Sequence, residues 1–179
     1  GACEQVGNVC ARAGLDVSMK AIVYSTPGPS AVLYLAEREA VSPGPGEVRV
    51  RIAVSGVNPT DWKSRTTANP TIGDVIVPNQ DGAGVIDAVG EGVDELTVGD
   101  RVWVFYAQAG GPTGTAQELT VLSASRVVRM PDGIDFAVGA SLGVPAITAH
   151  RALTVHEAGP AHLAPGALDG RVVLVQGGA

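Results

Sequence analysis

Cysteine is almost absent from this chain of 179 residues: there are two, Cys3 and Cys10. Neither lies in the body of the chain, which excludes a disulfide framework and a cysteine-based zinc site there. Aromatic residues make up only 4%, too few for a base-stacking platform. Positive charge is scarce as well, with 12 Lys and Arg against 18 Asp and Glu, a net charge of −6 and a pI near 4.9. Without a basic stripe to displace counterions, nucleic acid is not an expected partner. No uncharged apolar run approaches the roughly 18 residues of a membrane span. The first residues carry Glu4, Arg12 and Asp16 and lack the apolar stretch of a secretory signal. The cytoplasm is the default location.

What is present is globular: 45% hydrophobic and 17% charged residues. This suits one domain of ordinary size plus fragments. Residues 1–18 precede Met19, where a strand-like pattern starts, and are expected to be an upstream extension outside the fold. A rival reading sees a dinucleotide-binding helix in Val6–Val17. It would nearly complete a glycine fingerprint if joined to the chain's other end. The body is rich in short strands, expected at 20–24, 31–35, 47–54, 78–89, 98–105, 116–122 and 126–130. The clearest is Glu47–Val54, where Val48, Val50, Ile52 and Val54 alternate with Arg49, Arg51 and Ala53, the period of a sheet with one wet face. Many short strands between Gly/Pro turns predict a mainly β, partly open barrel. After Pro131, Asp135 can cap a helix from Phe136 toward Leu142, and Pro145 can start a second at 146–153. The last stretch, Arg171–Ala179, reads as a buried strand running into Gly177 and Gly178, the opening of a phosphate-cradling turn.

The segment Pro78–Gly92 (P-N-Q-D-G-A-G-V-I-D-A-V-G-E-G) combines close-approach glycines with a carboxylate, Asp81, at a loop-to-strand junction. Together with G-E-V-R-V-R-I-A-V-S-G-V-N-P-T-D-W-K (46–63), V-G-D-R-V-W (98–103) and G-V-P-A-I-T-A-H-R-A-L (143–153), it resembles the medium-chain dehydrogenase/reductase superfamily. Within it, the wording is similar to the zinc-independent quinone oxidoreductase branch, the relatives of zeta-crystallin. The resemblance runs from Met19 to Ala179. It implies a GroES-like substrate-side domain over 19–145, a connecting helix and loop over 146–170, and the first strand of a truncated Rossmann α/β domain over 171–179. It also implies NADPH as cofactor, no zinc, and hydride transfer to a quinone or enone. Zinc-dependent relatives have cysteine where Asn58 stands and His-Glu where Gln80-Asp81 stands. The usual homodimer surface is expected to be missing from the chain.

The resemblance implies site residues, each with a plainer alternative. Asn58 can donate its amide to a substrate carbonyl or to the nicotinamide carboxamide; otherwise it is a turn residue before proline. Asp61 can orient Asn58 or Lys63, or cap the following turn. Lys63 can stabilise an oxyanion or stand exposed without a role. Tyr106 can line the substrate pocket or pack at the surface. Thr148 can face the nicotinamide or bond its own helix backbone. Gly177 and Gly178 are the cofactor-turn candidates, and Asp81 is expected to hold its loop through backbone N–H bonds. His150 reads as a helix-face residue, His156 and His162 as solvated loop residues. Three functions remain open: an NADPH-dependent quinone or enone reductase, a non-catalytic GroES-like module, and, more weakly, part of a zinc alcohol dehydrogenase. With the glycine fingerprint incomplete, this polypeptide alone is expected to show no NADPH binding above background, and residues 171–175 are expected to be exposed.

Overall fold

The computed structural model describes residues 18–67, 75–109 and 111–176. In chain order they form β1 (Ser18–Val23), β2 (Tyr34–Glu39), β3 (Glu47–Gly56), α1 (Pro59–Thr67), β4 (Asp81–Val89), β5 (Arg101–Val104), β6 (Leu119–Ser123), β7 (Val127–Arg129), α2 (Phe136–Ala140) and α3 (Gly143–Thr154). Residues 1–17, Gly177 and Gly178 lie outside the described residues, and with them the reading of an extension and of a glycine turn.

The alternating valines of β3 organise the rest. Val48 and Val50 are fully buried and point inward with Ile86, Val102, Val104 and Leu122 to form the main core. Removing one such side chain from water is worth about 1.5–3 kcal/mol. On the opposite face, Arg49 and Arg51 both reach Asp87 of β4, at 2.8 and 3.1 Å. The strands pair antiparallel in the order β6-β3-β4-β5-β7, and β1 pairs with β2 as a separate two-stranded unit. Among the described residues β6 and β7 do not pair, so the sheet is not closed. The expectation of a mainly β, partly open barrel with few helices holds. Register shifts between Arg49 and Val50 and between Ile52 and Val54 mark where β3 departs from a regular ladder with β4. Gly84 sits at this close approach, where a Cβ would collide with the Arg51 carbonyl.

Four expectations need correction. The second strand is not 31–35: Ser30–Val32 form a tight 3₁₀ turn and the strand is Tyr34–Glu39. Its partner is β1 alone, in a two-stranded unit with one wet face, so it carries Glu37, Arg38 and Glu39 where an apolar pattern would be sought. Helix α1 is additional to the expected elements. Helix α3 starts at Gly143, not after Pro145, because proline as third residue of the first turn lacks only an N–H that has no helical partner there. Residues 171–175 form no strand, since no neighbour offers a ladder among the described residues. They are exposed, as expected: Val172 is 100% and Leu174 92% accessible.

Candidate functional site

The site grows from the sequence N-P-T-D at the start of α1. Asn58 occupies the cap, Pro59 the first helical position that suits its fixed φ, and Asp61 the third. Asp61 Oδ2 accepts the Asn58 backbone N–H at 2.6 Å, the reciprocal half of a capping box. The Asn58 side chain is directed elsewhere: Nδ2 donates to Asp81 Oδ2 at 2.8 Å. That same oxygen accepts the Val144 backbone N–H, from the first turn of α3, at 2.7 Å. Asp81 opens β4, and its carbonyl accepts from Thr115 Oγ1 at 2.5 Å. Thr115 Oγ1 lies 2.8 Å from Ser55 Oγ on β3.

This polar corner is buried. Asn58, Asp61 and Asp81 are 6%, 5% and 1% exposed. Asp61 Oδ1 and Asp81 Oδ1 are buried with no partner among the described residues. Burial raises the Asp81 carboxyl above the ordinary aspartate value, and the Asn58 amide and Val144 N–H moderate the rise. Asp61 is raised chiefly by burial. The Asn58 backbone N–H offsets this, the nearby Asp81 charge adds to it, and a Gln80 backbone bond offsets it again. Beyond Asp61, burial raises the Tyr24 hydroxyl, with Arg65 lowering it and Asp61 raising it.

The structure thus gathers Asn58 and Asp61 with Asp81 and separates them from the other candidates. Lys63 is exposed, with its ammonium 5.8 Å from the Trp62 ring centre, so Asp61 serves the start of α1 rather than orienting Lys63. Tyr106 is half exposed, edge-on to Phe105 and held at a positive φ of 49°. Thr148 is exposed on α3, and among the described residues its hydroxyl bonds no backbone carbonyl. No hydrogen bond joins Lys63, Tyr106 or Thr148 to Asn58 among the described residues. Beside Asn58 lies a pocket of about 180 Å³ lined by Val54, Gly56, Val57, Ala140 and Pro145. A larger, open cleft of about 800 Å³ between residues 92–96 and 123–129 shares no lining residue with it.

Sequence reasoning missed Thr115 and Gly143 as supports of this corner, and Tyr24 and Arg65 as its neighbours. A Cβ on Gly143 would overlap the Asp81 carboxylate, so glycine is what lets α3 reach it. The helix itself had a readable signal, Asn-Pro-x-Asp. Thr115 and Tyr24 had none, since only the folded register brings them near. At the positions compared with zinc ligands, Asn58 Nδ2 and Asp81 Oδ2 bond each other. The Gln80 amide pairs with Gln108, donating at 2.8 Å and accepting at 3.2 Å. Among the described residues no group of three or more His, Cys, Asp or Glu side chains gathers in metal-binding geometry.

Residues 44–132 match the family model for the alcohol dehydrogenase GroES-like domain. The chain is 38% identical over 129 residues to a quinone oxidoreductase of Pseudomonas aeruginosa, covering 72% of this chain and 38% of that protein. In structure it is similar to the quinone oxidoreductase of Pseudomonas syringae pv. tomato, with a TM-score of 0.71, 32% identity and coverage of 79% of this chain and 43% of the other. It is also similar to a mycobacterial protein solved with NADPH, with a TM-score of 0.67, 28% identity and coverage of 78% and 41%. The chain spans about two fifths of the length of the curated quinone oxidoreductases it matches. A GroES-like, mainly β domain with an unclosed sheet, matched along 44–132 and in overall fold, places this chain in the medium-chain dehydrogenase/reductase superfamily, in its quinone oxidoreductase-like group.

Proposed function

We propose that this chain supplies the substrate side of a metal-free, NADPH-dependent reductase of quinones or activated double bonds, acting in the cytoplasm. The observation that carries the reading is the buried Asn58 amide, held by a carboxylate at the edge of a small, mostly apolar pocket. Support for the substrate class comes from the relatives named quinone oxidoreductase, and for the cofactor from the neighbour solved with NADPH.

The described residues suit one end of the cofactor. A pocket of about 180 Å³ takes a single ring, and its polar side chains are Ser141 and the Asn58 amide, which can meet a carboxamide or a carbonyl. Asn58 would hold that end; the residues proposed for the pyrophosphate, Gly177 and Gly178, belong to the same reading. When bound, NADPH supplies the hydride from its nicotinamide ring. One Nδ2 hydrogen of Asn58 is committed to Asp81. The other remains to donate to an oxygen that gains negative charge as the hydride arrives. A fixed donor in a buried site stabilises such charge without reorganising. Val57, Ala140 and Pro145 keep the pocket wall apolar. Asp61 fixes the backbone on which Asn58 stands. Thr148, Tyr106 and Lys63 have weaker claims, as contacts made by exposed side chains when ligand is bound.

A metal has no part in this reading, because the relevant positions hold two amides and one carboxylate, with no thiolate or imidazole among them. The test is to assay the gene's complete product for NADPH oxidation against a quinone and an enone panel, with metal analysis on the same sample. Turnover at less than stoichiometric metal is expected. A requirement for one tightly held zinc per chain would sink it.

A further inference from the structure

Building on the reading of Asn58 as the donor, we propose that Asp81 is a positioning residue, whose Oδ2 couples the orientation of the Asn58 amide to the seating of α3. A primary amide can sit in two orientations, related by a half turn, that exchange its oxygen and nitrogen. An ionised carboxylate only accepts, so it admits Nδ2 and turns Oδ1 away. With a neutral neighbour either orientation would serve. The second bond to the same oxygen comes from Val144, one residue before Pro145, which lines the pocket beside Asn58. One atom therefore sets both the donor and one wall of the pocket.

Two further features fit a built coupling. Gly143 leaves room for α3 to approach the carboxylate, where any side chain would overlap it. Thr115, in the segment before β6, holds the Asp81 main chain through its carbonyl and so fixes the backbone from which the carboxylate reaches both partners. The groups that face it are few. Asn58 and the Val144 N–H touch it, and its charge raises the nearby Asp61 carboxyl of α1. Arg65 and Asp61 of α1 both act on the Tyr24 hydroxyl, just after β1.

The experiment is an acid titration of the ¹⁵N-labelled 179-residue chain, following the Asn58 side-chain amide and the Val144 backbone amide by NMR. Both resonances should move with one common midpoint, above the ordinary aspartate range. The Asn58 backbone amide, bonded to Asp61, serves as a separate reporter. In Asp81→Asn both common titrations should vanish, while the Val48 and Val50 amides stay in place. Gly143→Ala, which alters no hydrogen-bonding group, should move the Asn58 side-chain resonance as well as its own surroundings. Different midpoints for the two reporters, or an Asn58 side chain indifferent to Asp81→Asn, would overturn the coupling. If Asp81→Asn does not fold, the wild-type titration still decides. In the gene's complete product, Asp81→Asn should lower kcat for NADPH-dependent quinone reduction roughly tenfold, with KM for NADPH changed less than about twofold. An unchanged kcat overturns the positioning role. A wild-type product that reduces neither quinone nor enone would remove the proposed function, and the NMR coupling would stand or fall separately.

Discussion

Two valine-rich stretches of this chain meet opposite fates. In β3, Val48 and Val50 are fully buried; in 171–175, Val172 and Leu174 stand almost wholly in solvent. Their composition is alike, and both have the apolar, β-branched character that favours strands. The difference lies in neighbours. β3 is flanked by β4 and β6, which satisfy its backbone and cover its side chains. Residues 171–175 have no ladder partner among the described residues. A strand is thus a property of a set of segments, and its own sequence only qualifies it for membership.

The comparison breaks most visibly in the core. Ile86→Ala should destabilise the chain by about 2–5 kcal/mol, because it leaves a cavity among β3, β4 and β5, as read from urea unfolding. An intermediate effect, with a definite sign, belongs to the polar corner. The Asp81 carboxyl is raised above its ordinary value, so it binds its proton more tightly folded than unfolded. Its ionisation opposes folding, and the stability it contributes falls as pH rises from the ordinary value through the raised one. Asp81→Asn lacks that fall. Its stability relative to wild type should therefore improve from acid to neutral pH in paired denaturation series, and a difference independent of pH would contradict the raised carboxyl. Smaller still, Leu174→Ser should change stability by no more than about 0.5 kcal/mol. Amide exchange at 172–176 should be fast where that of Val48 and Val50 is slow. Least of all, Lys63→Ala should leave unfolding unchanged and NADPH-dependent turnover within about twofold, since its ammonium meets only the Trp62 ring among the described residues.

The same contrast explains what could be read from sequence. The period-two pattern of β3 announced a sheet with one wet face, and Asp135 announced its helix, where its carboxylate accepts the Ala137 N–H at 2.6 Å. These signals are local, and local geometry decides them. The strand Tyr34–Glu39 was displaced because it joins a two-stranded unit whose charged residues hide the alternation. The strand at 171–175 was misread because its sequence qualifies it while its surroundings do not. In the corner, Asn58 and Asp61 were legible from their motif. Asp81 was expected to hold its own loop through backbone N–H bonds, whereas the backbone N–H it accepts is that of Val144 in α3. Its bond to Asn58 was not legible, because that contact joins residues 23 positions apart and depends on where β4 lies beside α1.

The most direct test of the central claim is kinetic. NADPH-dependent quinone reduction by the gene's complete product should be compared with that of Asn58→Ala, with folding of both confirmed by the β3 amide resonances. If the amide is the donor to the developing oxyanion, kcat should fall about 100-fold. A variant that folds and turns over within twofold of wild type would contradict it.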